Sequence, residues 1–234
     1  MLTERQPWAV GHNRNLKTYF TDKQFDQLIL EGKKDNKFIY AHTSDALCGD
    51  CLVRFALAKP EYVPFLQIRD LRDVLVSYVY FVKLSLEIEM GGVFSFDEML
   101  THLLQNNGSK YGTYIENQVK LAIDWLDVPH VVVLRFEDMI GAAGGGSVEA
   151  QAKTISSMAA VLGVPLSEEK LKNITDKLFG NSFASKDVPF SRTFREGKIG
   201  AWKKHFKPHH LKLFNAKWKK YQQALGYSEG ACAL

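Results

Sequence analysis

Arg69 and Ser77, eight positions apart, carry side chains that could bind an anion together. A guanidinium offers a fork of donors and a hydroxyl one more, so together they can hold a phosphate. The apolar run Pro64–Ile68 predicts a strand ending at Arg69, at the edge where open α/β sheets bind ligands. A helix that opens near Asp73 would bring Ser77 close to its first turn, where free N–H groups favour an anion. Alternatively, Arg69 pairs with Asp70 or Asp73 and Ser77 is a surface hydroxyl.

A second group of basic residues lies late in the chain. Gly197 and Gly200 are three positions apart and are interleaved with Arg195 and Lys198. Glycines let a loop backbone approach a phosphate closely, and the neighbouring cations offset its charge. A solvated basic loop before the last helix is the alternative interpretation.

His42 and a cysteine pair follow the first predicted strand. The run Lys37–Ala41 predicts a buried strand whose carboxyl end leads to His42. Cys48 and Cys51 form a C-x-x-C at the start of a predicted helix, which is where a thiol redox pair would lie. The alternative for this pair is two structural thiols, and His42 with both cysteines gives at most three zinc ligands.

The candidate residues lie within a predicted series of alternating strands and helices. The third predicted strand is His130–Leu134, and the helical patterns are Thr21–Leu30, Cys51–Ala58, Asp73–Ile88, Phe96–Gln105, Tyr114–Leu126, Val148–Leu162, Ser167–Leu178 and Leu211–Leu225. Connections of this length between short apolar strands predict crossovers, and hence a parallel α/β sheet covered on both faces. The stretch Gly141–Ser147 predicts a flexible surface loop, because it lacks the Lys and Ser/Thr of a phosphate loop.

The composition is that of a globular chain with a local, rather than general, anion site. The chain has 234 residues, of which 46% are hydrophobic, and a formal net charge of +4. This charge is too small for a nucleic-acid coat, so no nucleic-acid partner is expected. Three cysteines, no signal peptide and no apolar run of about 18 to 20 residues predict a single cytoplasmic domain, residues 1–234, without a membrane partner. The oligomeric state is left open, with a homodimer as one option.

Four segments in order resemble the sulfotransferases that use 3′-phosphoadenosine 5′-phosphosulfate. Arg69 to Tyr78 looks like that family's 3′-phosphate motif, and Arg195 to Lys203 is similar to its late Arg-x-Gly-x-x-Gly-x-Trp-Lys loop. Leu134 to Met139 resembles the family's strand-end Tyr-Glu-Asp segment, with Phe136 in place of Tyr. Pro165 to Glu169 resembles the start of the helix that precedes the family's Ser-Phe element, and Ser182-Phe183 would be that element. The joint match is more specific than any one motif.

The resemblance implies a fold and a set of roles. The fold would be α/β, a three-layer parallel sheet flanked by helices, like that of P-loop NTPases. The 3′-phosphate would be held by Arg69, Ser77, Arg195 and Gly197 with Lys198 beside it, adenine would be framed by Phe136, Ser182 and Phe183, and His42 would be the general base. The chain would move a sulfuryl group to a hydroxyl or amine of a small acceptor, without a metal.

The N-terminal part departs from the family pattern. Residues 1–36 are divergent, and no Lys-Ser-Gly-Thr-Thr turn, the family's 5′-phosphosulfate loop, precedes His42. The basic stretch Gly11–Lys17 is expected to lack a preceding apolar strand. The sequence thus predicts an N-terminally incomplete fold, and a catalytically impaired nucleotide-binding or interaction module on the same scaffold is the alternative function. A thiol redox protein using Cys48 and Cys51 is the less favoured one.

Overall fold

The strands form two parallel pairs. The computed structural model describes residues 63–178 and 196–227, together with the backbone of the two strands Pro7–Ala9 (β1) and Phe38–Tyr40 (β2). β1 pairs with β2 in parallel, and Phe65–Ile68 (β3) pairs in parallel with Val132–Arg135 (β4). Parallel neighbours require crossover connections, so the predicted α/β class is confirmed. The three predicted strands are confirmed as β2, β3 and β4.

β1 was not expected. It ends at Ala9, two positions before Gly11, so the prediction that no strand precedes the stretch Gly11–Lys17 is wrong. The run is only three residues long and begins with proline, which sequence patterns associate with strand edges. Its strand state comes from pairing with β2, in which Trp8 lies opposite Ile39.

Several predictions fall outside the described residues. They are the helices Thr21–Leu30 and Cys51–Ala58, the candidates His42, Ser182, Phe183 and Arg195, and the cysteines Cys48, Cys51 and Cys232.

Helices make up most of the described chain. They are Leu71–Met90 (α1), Phe96–Gln105 (α2), Lys110–Leu126 (α3), Phe136–Met139 (α4), Val148–Val161 (α5), Glu168–Leu178 (α6), Pro208–Lys217 (α7) and Lys219–Ala224 (α8), with 3₁₀ turns at Ala142–Gly144 and Ala201–Lys204. The helix predictions for α1, α2, α3, α5 and α6 are confirmed in type. None of the described helices combines the length and apolar character needed to cross a membrane.

α1 is helical despite its β-branched and aromatic residues. It begins at Leu71, two residues before the predicted start, because the Asp70 side chain caps it by accepting a hydrogen bond from the Arg72 N–H. It ends at Gly91, whose φ of +79° is the left-handed conformation that glycine adopts without strain. Burial of one side, including Val76 and Val79, outweighs the strand propensity of this run.

Local caps set the next two helices. α2 has the predicted bounds and the predicted capping box, in which Ser95 and Glu98 each bond the other's backbone N–H. α3 begins four residues before the predicted Tyr114, because the Ser109 side chain accepts from the Gly112 N–H, 3.0 Å away.

The C-terminal helix is broken, so the prediction of one helix from Leu211 to Leu225 is wrong. α7 begins earlier, at Pro208, and the chain leaves the helix at Trp218 before α8. Trp218 is fully buried, and its indole N–H donates to the Leu104 carbonyl at 3.0 Å. This hydrogen bond joins residues that are far apart in the sequence, so no local sequence pattern predicts it.

One core joins β3, α1, α2, α3 and the C-terminal helices. Its buried residues include Leu66, Ile68, Leu75, Val79, Leu86, Met99, Leu100, Leu103, Leu104, Val119, Trp125, Phe214 and Trp218. The prediction that the strands are covered on both faces is wrong at Gln67 and Val133, which are exposed, because their side chains alternate with buried ones.

Candidate functional site

Arg69 and Phe136 meet where β3 and β4 end. The two strands are in register, with Ile68 opposite Arg135, so the next residue of each lies at the same edge of the sheet. The guanidinium carbon of Arg69 lies 4.0 Å from the centre of the Phe136 ring. Stacking on an aromatic face holds a guanidinium flat and leaves its edge free to bind an anion.

Arg69 is also fixed by two hydrogen bonds. One terminal nitrogen, Nη2, donates to the Lys198 carbonyl at 2.7 Å and to Asp73 Oδ2 at 3.3 Å. Its Nε is buried and has no hydrogen-bond partner among the described residues. Of the two ion pairs left open by the sequence, the one with Asp73 is therefore formed, whereas Asp70 pairs with Arg72.

The late basic loop lies directly on this arginine. Gly197 and Gly200 have φ values of +61° and +72°, which other residues adopt only with strain. The Gly200 and Trp202 N–H groups each donate to the Asp73 carboxylate at 2.8 Å. Asp73 is fully buried in doing so. The sequence indicates the late loop and the start of α1 as two separate phosphate-binding segments. In the structure, Asp73 joins them.

A second loop, Gly141–Ser147, packs against the late loop. Gly144 is buried in the stretch Gly141–Ser147, and its carbonyl accepts the Ile199 N–H at 2.9 Å. A Cβ on Gly144 would lie 2.8 Å from the Gly197 carbonyl oxygen. The structure gives this glycine-rich segment, which follows β4 and α4, a packing role that the sequence did not indicate.

Glu137 links the end of β3 to Tyr227, which follows α8. Its Oε1 accepts the Asp70 N–H at 3.0 Å, and its Oε2 accepts the Tyr227 hydroxyl at 2.7 Å. Burial and this hydrogen bond raise the pKa of Tyr227 above its ordinary value, so the phenol stays a donor. Sequence reasoning placed Glu137 in a family-like segment but assigned it no role.

The start of α1 is not the open anion site that the sequence suggested. The Leu71 N–H donates to Gln222 Oε1 at 2.8 Å, and the Arg72 N–H donates to Asp70 Oδ1 at 2.9 Å. Because the helix begins at Leu71, Ser77 lies in its second turn and not its first. Ser77 is half-buried, four positions from Asp73, which puts both residues on one face of the helix.

The structure therefore brings together some of the predicted site residues. Arg69 contacts Phe136 and the Lys198 carbonyl, Gly197 precedes Lys198 in the same loop, and the Lys198 side chain is exposed. Asp73 and Gly144 are the members that sequence reasoning missed as site residues. The i, i+4 spacing of Arg69 and Asp73 was the available signal for the first of these.

A separate polar cluster on α2 and α7 contains the atoms of a metal site. One carboxylate oxygen of Asp97 and ring nitrogens of His209 and His210 all lie within 4.8 Å of one another. His210 is fully buried, which lowers its pKa, and its Nδ1 accepts the Lys207 N–H at 3.1 Å. The ring proton is therefore on Nε2, which has no lone pair left for a metal. This arrangement is that of a hydrogen-bond network.

The parallel strands define an α/β protein, and Arg69 and the late glycine loop lie at the carboxyl edge of β3 and β4, where such folds bind ligands. The family model for the sulfotransferase domain matches residues 65–226, well over half of the chain, so the protein belongs to the sulfotransferase family. No curated protein and no solved structure matches the chain.

Proposed function

We propose that this sulfotransferase takes its sulfuryl group from 3′-phosphoadenosine 5′-phosphosulfate and transfers it to a hydroxyl or amine of a small acceptor. One observation carries the proposal: Arg69 is held between Phe136 and the late loop, with a buried Nε that no described group satisfies. An unsatisfied donor of this kind is costly unless a ligand meets it. A phosphate oxygen can accept hydrogen bonds from the edge of a guanidinium, and the late loop would lie beside the bound phosphate.

Each residue has a proposed part in nucleotide binding. Arg69 and Ser77 would bind the 3′-phosphate from the strand end and from α1, and the late loop would close over it with Arg195, Gly197 and Lys198. Adenine would be framed by Phe136, Ser182 and Phe183. Cations and N–H groups at one phosphate supply affinity without a metal.

His42 is the proposed general base. The nucleotide supplies an activated sulfuryl group, with adenosine 3′,5′-bisphosphate as the leaving group. His42 would accept the proton that the acceptor loses as its oxygen or nitrogen bonds to sulfur. β2 ends at Tyr40, two positions before His42, which supports a place at the carboxyl edge of the strand. An imidazole titrates near neutral pH, as this role requires.

The stretch Gly11–Lys17 takes the place of the 5′-phosphosulfate loop in this proposal. β1 ends at Ala9, two positions before this stretch, and runs parallel to β2, so the chain leaves both strands at one edge. The stretch lacks the Lys-Ser-Gly-Thr-Thr pattern but contains Arg14 and Lys17 as cations. The described strands form two separate parallel pairs, and we propose that both belong to a single three-layer domain of the P-loop-like kind.

Calorimetry with adenosine 3′,5′-bisphosphate tests nucleotide binding. The wild type should bind, and Arg69→Ala should weaken binding by about 1.5 to 3 kcal/mol, the range for a charge-assisted contact. Arg69→Lys should restore only part of this, because an ammonium lacks the fork. Lys83→Ala is the matched control, since Lys83 is an exposed cation on α1 that pairs with Glu87 instead. Absence of binding, or equal binding by Arg69→Ala, would refute the assignment.

Turnover is tested separately from binding. Transfer of labelled sulfate to simple phenols, alcohols and amines should be measurable and should be lost in His42→Ala. Binding without transfer would indicate the impaired module that the divergent N-terminal segment suggests. Transfer that survives in His42→Ala would show that another group accepts the proton.

A further inference from the structure

Asp73 receives three hydrogen bonds from two distant parts of the site. Its Oδ2 accepts the Gly200 N–H at 2.8 Å and Arg69 Nη2 at 3.3 Å, and its Oδ1 accepts the Trp202 N–H at 2.8 Å. The side chain is 0% exposed. Both oxygens of the carboxylate are therefore used, and two of the donors are main-chain groups of the late loop.

These bonds fix the orientation of Arg69. Its Nη2 is occupied by Asp73 and by the Lys198 carbonyl, whereas its Nε is left without a partner in the described part of the chain. The face of the guanidinium is occupied by Phe136. Asp73 thus fixes two parts of the site relative to each other. They are Arg69, which would bind the phosphate, and the late loop, which would close over it.

The negative charge of Asp73 acts against the binding of an anionic nucleotide. A carboxylate beside a phosphate site repels the ligand, and the repulsion is largest where water is excluded. A residue that acted only through its charge would weaken nucleotide binding, so its removal would strengthen it. A residue that acts by positioning donors has the opposite effect, since preorganised groups bind without the cost of being ordered. The sign of the effect therefore separates the two roles.

We propose that Asp73 is a positioning residue, which locks the late loop onto Arg69 and so sets the preference of the protein for nucleotides that carry a 3′-phosphate. This inference rests on the proposed function, because it concerns the same nucleotide site. Asparagine keeps the size of the side chain but turns an NH₂ toward one of the donors, which breaks at least one loop contact.

The experiment measures a preference rather than one affinity. Calorimetric dissociation constants for adenosine 3′,5′-bisphosphate and for adenosine 5′-phosphate give a ratio for each variant. The wild type should favour the bisphosphate, and Asp73→Asn should reduce that preference by about tenfold, despite the loss of a negative charge. Loss of folded protein alone lowers both affinities equally and leaves the ratio unchanged.

Two further variants keep the test decisive. Gly200→Ala places a side chain at φ +72° and strains the same loop while Asp73 stays intact, so it should also lower the preference. Glu116→Gln removes another carboxylate with several donors, in α3, and should lower the melting temperature with no change of preference.

Each outcome has a distinct meaning. A wild type without preference for the 3′-phosphate refutes the proposed function itself. A wild-type preference that persists in both Asp73→Asn and Gly200→Ala refutes the positioning role and leaves the function standing. A bisphosphate affinity that rises in Asp73→Asn shows that Asp73 acts by charge, which also refutes the positioning role.

Discussion

Asp73 and Glu116 are two carboxylates that each collect several donors, in different parts of the molecule. Asp73 bonds two main-chain N–H groups of a loop more than a hundred positions away, and also Arg69. Within the described part of the chain, Glu116 bonds only side chains, which are Asn106 at 2.7 Å, Tyr221 at 2.8 Å, Lys120 at 2.9 Å and Lys217 at 3.0 Å. One carboxylate joins loops, and the other joins helices.

The kind of donor explains what each carboxylate can control. Main-chain N–H groups point at a given acceptor in only one conformation of the backbone. A carboxylate that binds them therefore stabilises that conformation of the loop. Long side chains reach an acceptor from many rotamers and add stability with little effect on shape. We therefore expect changes around Asp73 to alter ligand binding and changes around Glu116 to alter the free energy of unfolding.

Gly144→Ala should lower both the stability of the protein and its nucleotide affinity, more than any other variant proposed here for these two regions. The new Cβ would collide with Ile140 and lie 2.8 Å from the Gly197 carbonyl oxygen, so the late loop must shift. Overpacking of this kind costs up to about 3 kcal/mol in the free energy of unfolding. Chemical denaturation should show that loss, and calorimetry should show weaker binding of adenosine 3′,5′-bisphosphate.

Gly145→Ala is the matched control for Gly144→Ala. Its Cβ meets nothing within 4 Å, but its φ of +89° is strained for alanine. It should lose about 1 kcal/mol of stability and keep its nucleotide affinity. If both alanine variants bound the nucleotide as tightly as the wild type, the support of the late loop by Gly144 would be disproved.

Glu116→Gln should show the next largest effect, on stability alone. Burial opposes ionisation of this carboxyl, but its hydrogen bonds outweigh burial and lower its pKa from 4.5 to about 2. The unfolded chain binds the proton more readily, so the stabilisation is full above pH 4.5 and disappears as the pH falls toward 2. At neutral pH the variant should be less stable by about 2 kcal/mol.

Unfolding free energies measured between pH 7 and pH 2 check this prediction. The wild-type and Glu116→Gln curves should converge at the acid end. A constant gap between them would mean that the ionised carboxylate is not the source of the stability. A change in nucleotide preference would contradict the division between the two regions.

Local signals in the sequence were enough for much of the scaffold. The capping box at Ser95 and Glu98 determines the start of α2 from neighbouring residues, and apolar runs located β3 and β4. Arg69 could be assigned to the site because it follows a predicted strand directly. These features depend on residues close together in the chain, which is what a single sequence displays.

Contacts between distant segments account for what was missed. The bond from Gly200 to Asp73 and the bond from Trp218 to Leu104 each join residues over a hundred positions apart. No periodicity or spacing encodes such a pair. The sequence likewise predicts only a surface loop at Gly144, because the partner of this residue, Ile199, lies far along the chain.

Two tyrosines donate to carboxylates, one beside Arg69 and one among the helices. Tyr227 donates to Glu137 at 2.7 Å and Tyr221 donates to Glu116 at 2.8 Å, so removing either hydroxyl deletes the same type of bond. Tyr227→Phe and Tyr221→Phe should each lose about 1 kcal/mol of unfolding free energy. Only Tyr227→Phe should weaken nucleotide binding, by about two- to threefold, because Glu137 also holds the Asp70 N–H beside Arg69. Equal nucleotide affinities in the two variants would mean that Glu137 serves the scaffold and not the site.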